Sequence, residues 1–297
     1  MEQNQTQSKF ARFHDKHYKT LLLIPLGILI LSLISIGMTY NSTGDFFKKD
    51  ISLTGGTSVT IYNQIDVEKL KQDLSEKLED ISTREISDLI TREQKAIIIQ
   101  TKSSGDETKQ VLEDYLGYDL VPGKNSDFDF TGSELSESFF KQLIIAIIFA
   151  FIFMAIVVFI IFRTFIPSAA VVIAAFADII MTLALVNLLG MKMSSAGIVA
   201  FLMLIGYSVD TDILLTTRIL KRQEGSLNQR IFSAFKTGIT MTLTSLIAIS
   251  FALFVVKSFS IVLSQILTIL VIGLSFDLLN TWITNVSILK WYVERKK

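Results

Sequence analysis

The chain has 297 residues, of which 50% are hydrophobic and only 19% are charged, and this composition excludes an ordinary soluble domain. Basic and acidic residues balance at 28 each and no segment forms a basic domain, so no nucleic-acid partner is indicated. Cysteine is absent, which excludes disulfides, thiolate nucleophiles and cysteine-ligated metals. We therefore expect a polytopic α-helical membrane protein.

The first 40 residues predict a basic tail followed by a membrane anchor. Residues 1–19 form a polar cytoplasmic tail that contains His14 and His17, to which we assign no role because histidines in a polar tail are usually solvated. Residues 20–40 are apolar over the length that a helix needs to cross a bilayer. The stretch is too long for a cleaved signal and no small-residue cleavage site follows, so we expect a retained first span.

Residues 41–140 are predicted to form a small α/β domain outside the membrane. Runs of β-branched residues predict strands at 57–62 and 96–101, and apolar residues at helical spacing predict helices at 66–81, capped by Asp66, and at 106–116, ended by Gly117. This order of elements favours a split βαβ, ferredoxin-like sandwich. Whether residues 84–90 and 118–130 add strands stays open.

Five more apolar segments are long enough to span a membrane. They are residues 142–163, 167–189, 195–217, 238–256 and 260–289, with a cytoplasmic loop at 218–237 and a cytoplasmic tail at 290–297. Lysine and arginine concentrate on the side of the predicted membrane that carries both termini. The short loops on the opposite side carry only Lys192 and Lys257. The positive-inside rule therefore predicts that both termini are cytoplasmic and that the protein lies in the cytoplasmic membrane, surrounded by the lipid bilayer.

Four aspartates lie inside three predicted spans: Asp178, Asp210, Asp212 and Asp277. A charge near the bilayer centre costs roughly 2.5 to 3.5 kcal/mol on insertion scales, so these residues are candidates for a functional site. We interpret them as a proton or ion relay, and the alternative is structural polar packing between helices. Lys236 is the available cation, although it also fits a row of positive-inside anchors.

The sequence contains neither a glycine-rich phosphate loop nor a paired-histidine zinc motif. We therefore predict no cofactor and no metal, and we do not expect the chain to hydrolyse ATP or to act as an enzyme.

Residues 206–218 read GYSVDTDILLTTR and lie in the fourth predicted span. This run resembles the signature of the SecD/SecF family of protein-export membrane proteins. Within that family it is similar to the smaller, SecF-type subunit in its archaeal form. The resemblance extends over nearly the whole chain, including six spans, one external domain, the TGGT turn at 54–57 and the run TGSELSESFF from Thr131. It implies half of an RND-type bundle. The implied partners are SecD, the Sec translocation channel and unfolded preproteins, and the proton-motive force would drive the cycle.

Two departures from the bacterial pattern of this family affect the site. That pattern places its acid at the position of Thr211, which here lies between Asp210 and Asp212. Successive helical residues point about 100° apart, so the carrier carboxylate can face another way, and we favour Asp210 over Asp212. Bacterial relatives carry an arginine where Lys236 stands, which implies that Lys236 is the counter-ion, with Asp277 and Asp178 assisting. Lysine can lose its proton where arginine cannot, and the choice between proton and sodium stays open.

Two other function classes fit parts of the pattern. An RND-type efflux pump for small solutes or lipids would need two copies of this chain, because six spans make only half of such a pump. An intramembrane aspartyl protease would use acids on separate helices as a catalytic dyad. Its usual Gly-x-Gly-Asp run is replaced here by Gly206-Tyr-Ser-Val-Asp210.

Overall fold

The computed structural model describes residues 18–88, 91–221 and 225–296. Six helices in these ranges are long and apolar enough to cross a membrane, and a small antiparallel sheet lies between the first and the second of them in the chain. These features confirm the predicted fold at the level of a mostly helical chain with six candidate spans. The basic leader up to residue 17, with both histidines, lies outside the described ranges.

The α/β domain between the first and second spans is called the external domain after its predicted side of the membrane. The chain enters it through a short helix and two glycines. Helix α1 (Leu23–Thr43) is followed by α2 (Ile51–Thr54), which leads directly into the glycine pair. Gly55 has a φ of 81°, and a Cβ at this position would lie 2.6 Å from the Cα of Ser133. A Cβ at Gly56 would overlap the carbonyl oxygen of Thr101. Only glycine fits both positions, which gives the TGGT turn a physical cause.

The external domain has the element order strand, helix, strand, strand, helix, strand. Its elements are β1 (Gly56–Ile61), α3 (Val67–Leu74), β2 (Ser82–Ser87), β3 (Gln94–Thr101), α4 (Gly105–Leu116) and β4 (Ser126–Thr131). The sheet order is β2-β3-β1-β4 and all neighbours are antiparallel, which is the order of a split βαβ unit. Strands β2 and β4 therefore occupy parts of the two segments that the sequence left open.

Side-chain caps and an aliphatic core explain these elements. Asp66 accepts hydrogen bonds from the first-turn N–H groups of α3, and Ser104 caps α4 in the same way. Gly117 ends α4 in the left-handed conformation. The buried residues of the domain's hydrophobic core are all aliphatic: Val59, Ile61, Leu70, Leu74, Leu78, Ile97, Ile99, Leu112 and Leu120.

The membrane bundle contains the remaining elements. They are α5 (Ser133–Phe162), α6 (Phe165–Leu188), α7 (Ser195–Leu220), α8 (Leu227–Val256), α9 (Ile261–Leu279), a π-helical turn (Asn280–Asn285) and α10 (Val286–Lys296). The last three form one continuous sixth span of 36 residues. Helix α5 starts before the apolar segment and α10 continues beyond it, because hydrophobicity marks the part in lipid and not the end of the helix.

The six spans differ in how much of their surface the bundle covers. In the most apolar 18-residue windows, 56% of α6 and 50% of α7 is buried, against 11% of α5 and 6% of α8. Helix α9 packs against α6, α7 and α8, and α1 packs against α6. The centre of the bundle is therefore formed by α6, α7 and the sixth span.

Backbone and side-chain contacts join the external domain to the bundle. Met193, in the loop between α6 and α7, exchanges backbone hydrogen bonds with Lys48 and Asp50 at the entry to the domain. In the same loop, Lys192 Nζ lies 2.8 Å from Asp80 Oδ1. Partial burial acts to raise the pKa of Asp80, but hydrogen bonding and charge attraction from Lys192 and Lys102 outweigh it, and the pKa lies below its usual value.

Candidate functional site

Three of the four predicted aspartates meet at the centre of the bundle. Asp178 of α6 and Asp212 of α7 are 0% exposed, and Asp277 of α9 is 1% exposed. Along α7 and the sixth span, Asp212 and Asp277 lie between two apolar clusters, one around Leu204 and Leu270 and the other around Leu215 and Val286. The three carboxylates therefore form a polar layer inside an apolar bundle, which we call the carboxylate cluster.

Asp178 is held by donors from two other helices. Its Oδ2 accepts a hydrogen bond from Ser208 Oγ of α7 at 2.5 Å, and its Oδ1 accepts one from Asn280 Nδ2 at 2.7 Å. The backbone carbonyl of Asp178 also accepts from Thr182 Oγ1. Both carboxylate oxygens of Asp178 thus have a partner.

Asp212 has one saturated oxygen and one open oxygen. Its Oδ1 accepts hydrogen bonds from Asn285 Nδ2 at 2.7 Å and from Thr281 Oγ1 at 2.9 Å. Its Oδ2 is buried and has no hydrogen-bond partner among the described residues. Because an unpartnered buried carboxylate oxygen is costly, this atom is the most exceptional in the cluster.

A single hydroxyl lies between Asp212 and Asp277. Thr281 Oγ1 is 2.9 Å from Asp212 Oδ1 and 3.0 Å from Asp277 Oδ1, yet a hydroxyl has only one proton to donate. If the hydroxyl donates to one carboxylate, its contact with the other is a hydrogen bond only when that other carboxyl group is protonated and donates to the hydroxyl. Thr211 Oγ1 poses the same choice, since it lies 2.9 Å from the carbonyl oxygen of Ser208 and 3.2 Å from Asp277 Oδ2. The geometry therefore suits one proton shared along Asp212, Thr281 and Asp277.

The π-helical turn supplies most of these donors. Asn280, Thr281 and Asn285 are each at most 1% exposed, and all three face the carboxylate cluster. In a π turn the backbone bonds run from residue i to i+5, so residues five apart lie closer to the same face than in an α-helix. This turn lets Asn280 reach Asp178 while Asn285 reaches Asp212.

Asp210 and Lys236 lie outside the carboxylate cluster. Both residues are exposed, Asp210 on α7 and Lys236 on α8, and their side chains make no hydrogen bond or salt bridge to another described residue. Two residues along a helix correspond to a rotation of about 200°, so Asp210 and Asp212 cannot face the same cluster. The placement favours Asp212, and not Asp210, as the member of α7 that belongs to the site.

The sequence did not single out the donors. Ser208, Thr211, Asn280, Thr281 and Asn285 are hydroxyl or amide side chains, which bundles often bury for interhelical hydrogen bonds. Their signal was the density of polar residues at positions 277–285 of an otherwise apolar span. Within the described ranges no group of three or more His, Cys, Asp or Glu side chains is arranged to hold a metal ion.

Comparisons with known proteins agree with the site and the fold. The family described as "Protein export membrane protein SecD/SecF, C-terminal" matches residues 118–295. The protein-export membrane protein SecF of Methanocaldococcus jannaschii is 40% identical over 289 residues, which cover 94% of this chain and 96% of that protein. SecF of Pyrococcus furiosus is 36% identical over 296 residues, which cover 99% and 97% of the two chains.

The crystal structure of SecDF, a translocon-associated membrane protein from Thermus thermophilus, has the same fold. It superposes with a TM-score of 0.75 at 18% identity, covering 99% of this chain and 40% of that chain. The chain thus spans well under half the length of SecDF, whereas it spans nearly the full length of the SecF relatives. On this evidence, the chain belongs to the SecF family of protein-export membrane proteins.

Proposed function

We propose that this protein is an auxiliary subunit of the Sec protein-export machinery that works with SecD and uses the proton-motive force to promote the translocation of preproteins. The carboxylate cluster would be its proton path. The observation that carries this proposal is the single hydroxyl of Thr281, placed within hydrogen-bond distance of both Asp212 and Asp277. Moving one proton across this hydroxyl would change which carboxylate is charged.

The donors around the cluster favour a proton over a sodium ion. A sodium ion would need several oxygen ligands directed at one point, in the way that hard cations are bound in proteins. Here four of the carboxylate contacts come from hydroxyl or amide groups in donating positions, those of Ser208, Asn280, Asn285 and Thr281. Carboxylates surrounded by donors can gain or lose a proton with small rearrangements of the hydroxyl groups.

The exposed charges on α7 and α8 support the partnership with SecD. Asp210 and Lys236 lie on faces that this chain does not cover, and in lipid such groups are costly unless they are paired. In the most apolar window of α8 only 6% of the residues are buried. A second six-helix bundle packed against these faces would bury both residues, and its acidic or basic groups would decide whether Lys236 acts as a counter-ion.

The charge distribution supports an orientation with both termini in the cytoplasm. The basic residues Arg163, Arg218, Lys221 and Arg230 lie at the end of the bundle that also carries the carboxyl terminus. The external domain lies at the other end, between α1 and α5. In this orientation the domain faces the side on which an exported chain emerges, where movement of the domain would act on that chain.

The test is the rate of preprotein export in cells that carry Asp212→Asn or Asp277→Asn at wild-type protein level. Export is measured with and without an ion-motive force, and Asp210→Asn is the matched control because it makes the same change two residues away on the same helix. We expect each cluster variant to lose the force-dependent part of export and to keep the rest. Loss in Asp210→Asn with normal export in both cluster variants would refute the proton path through the cluster.

The two other function classes receive no support from the comparisons. The most similar curated relatives reported above are named as protein-export membrane proteins, and neither an efflux pump nor a protease appears among those names. The cluster also differs from a catalytic dyad, because hydroxyl or amide groups donate to both carboxylate oxygens of Asp178 and to Oδ1 of Asp212.

A further inference from the structure

A cavity of about 470 Å³ opens at the end of the bundle where the described chain begins near Tyr18 and α10 ends. Five chain segments meet around it: the end of α5, the start of α6, the end of α7, the start of α8 and the end of α10. Three cationic residues, Lys221, Arg230 and Lys296, line the cavity, and no acidic residue belongs to its described lining. Such a charge imbalance around a single cavity attracts an anion.

Apolar side chains also line the same cavity, and together we call them its apolar wall. Phe162, Ile219, Leu220 and Val293 contribute aliphatic or aromatic side chains to the lining. One of the cations lies close to this wall, since Lys221 Nζ is 6.0 Å from the centre of the Phe162 ring. A site with three cationic residues and an apolar wall matches a molecule with an anionic head and an apolar body.

The Thr164 side chain and the adjoining first turn of α6 both have donor groups without a side-chain partner in the described part of the chain. Thr164 lines the cavity, and the Oγ1 of this residue is buried without a hydrogen-bond partner among the described residues. Thr164 is also the N-cap residue of α6, and its side chain makes no capping hydrogen bond. The first turn of α6 therefore keeps the N–H groups of Phe165 and Ile166 without a side-chain cap. Pro167 has no N–H, and the Ser168 N–H donates to the Thr164 carbonyl. A phosphate oxygen is an acceptor that helix N-termini bind well.

We propose that this cavity binds the phosphate headgroup of an anionic membrane lipid. Lys221 and Lys296 would neutralise the phosphate, Thr164 Oγ1 would donate to one of its oxygens, and the apolar wall would contact the upper part of the acyl or isoprenoid chain. Basic pockets between transmembrane helices are a known way of recognising such headgroups. This inference stands on the cavity alone and does not rest on proton transfer by the carboxylate cluster.

The test measures lipid binding to the purified full-length protein in detergent by native mass spectrometry. The probes are phosphatidylglycerol, zwitterionic phosphatidylcholine and inorganic phosphate. The double variant Lys221→Gln/Lys296→Gln is compared with Lys19→Gln/Arg295→Gln, which removes two positive charges from the same end of the bundle but outside the cavity lining. The four residues are exposed, so neither variant disturbs the core.

We expect the wild-type protein to retain phosphatidylglycerol in preference to phosphatidylcholine. At about 1 kcal/mol per basic residue, affinity should fall about thirtyfold in the cavity double variant and change little in the control double variant. Thr164→Val, which keeps the shape of the side chain, should weaken binding about fivefold, as expected for one lost hydrogen bond.

Three outcomes would overturn the proposal. Equal retention of the two lipids would mean that headgroup charge is not recognised. An equal loss in both double variants would indicate general surface charge instead of a site. Displacement of the lipid by inorganic phosphate at matched concentration would identify a soluble anion as the ligand.

Discussion

In the external domain the innermost side chains are aliphatic or hydroxyl-bearing and none of those described is charged, whereas in the membrane bundle the innermost side chains include three carboxylates. Leu70, Leu112 and Ile99 are 0% exposed in the domain, just as Asp178 and Asp212 are in the bundle. The outer surfaces are reversed as well, since the domain presents charged residues and the bundle presents aliphatic and aromatic ones. Side chains that are equally buried are thus uncharged in the domain but include carboxylates in the bundle.

The difference arises from the surrounding solvent. Water drives apolar side chains into the core of the domain, and the buried area supplies its stability. Lipid supplies no such force between helices, so packing and polar contacts hold the bundle together, and its centre is free to carry polar groups. Burial therefore predicts stability in the domain and a functional role in the bundle, and substitutions can test this contrast.

The largest effect on stability should come from Leu112→Ala in α4. This side chain belongs to the aliphatic core, and comparable truncations cost about 2 to 5 kcal/mol of unfolding free energy. Hydrogen exchange of the full-length protein should show faster exchange throughout the external domain and unchanged protection in the bundle. Equal loss of protection in both regions would mean that the domain does not unfold as a unit of its own.

A second substitution probes tight packing in the bundle. In Gly238→Ala the new methyl group would overlap the Trp282 ring, and overpacking of this kind costs about 1 to 3 kcal/mol. Thermal unfolding in detergent should show a lower midpoint. Gly206→Ala is the control, because nothing lies within 4 Å of a Cβ at that position. An unchanged midpoint for Gly238→Ala would show that Trp282 can move aside.

Thr281→Val tests the polar centre directly. It replaces the hydroxyl between Asp212 and Asp277 with a methyl group and leaves buried acceptors short of a donor, at a cost of about 1 to 3 kcal/mol. We expect the protein to remain folded and to lose force-dependent export, and Thr281→Ser should restore it. If the valine variant exported preprotein normally, the shared hydroxyl would have no part in coupling.

The smallest effect concerns the contact between domain and bundle. Asp80, with its lowered pKa, should keep its salt bridge to Lys192 above the usual carboxylate range and lose it as the pH falls through that lowered pKa. The Asp80 side chain is 41% exposed, so solvent screening keeps this contribution well below about 1 kcal/mol. A spectroscopic distance between labels on the domain and the bundle should change on acidification or in Asp80→Asn. If the distance changed in neither condition, the backbone contacts of Met193 alone would hold the domain in place against the bundle.

Much of this architecture follows from patterns in the sequence, because its signals are periodic or local. The six apolar segments, the cap at Asp66 and the stop at Gly117 each depend on a few neighbouring residues. Asp178, Asp212 and Asp277 were also found by a local signal, an acid inside an apolar span. The preference for Asp210 over Asp212 does not follow from the sequence, because the sequence gives the angle between the two residues on the helix but not which of them faces the centre of the bundle.

The remaining part of the site depends on contacts between distant segments. Thr281 lies 69 positions after Asp212, and Asn280 lies 102 positions after Asp178, so neither pair is visible as a motif. The π turn is also invisible, since residues 280–285 have the composition of any polar helical turn and the change in hydrogen bonding comes from packing. Sequence therefore identifies which residues are unusual, and packing decides which of them meet.

The close approach of Gly55 to Ser133 has a mechanical consequence. The strand that enters the external domain and the helix that leaves it pass each other at this point with no room for a side chain. The two covalent connections of the domain thus coincide at one pivot instead of anchoring it at two separate corners. A pull on the domain would be converted into a torque about Gly55, so that the domain would swing over the end of the bundle while its connections kept their length.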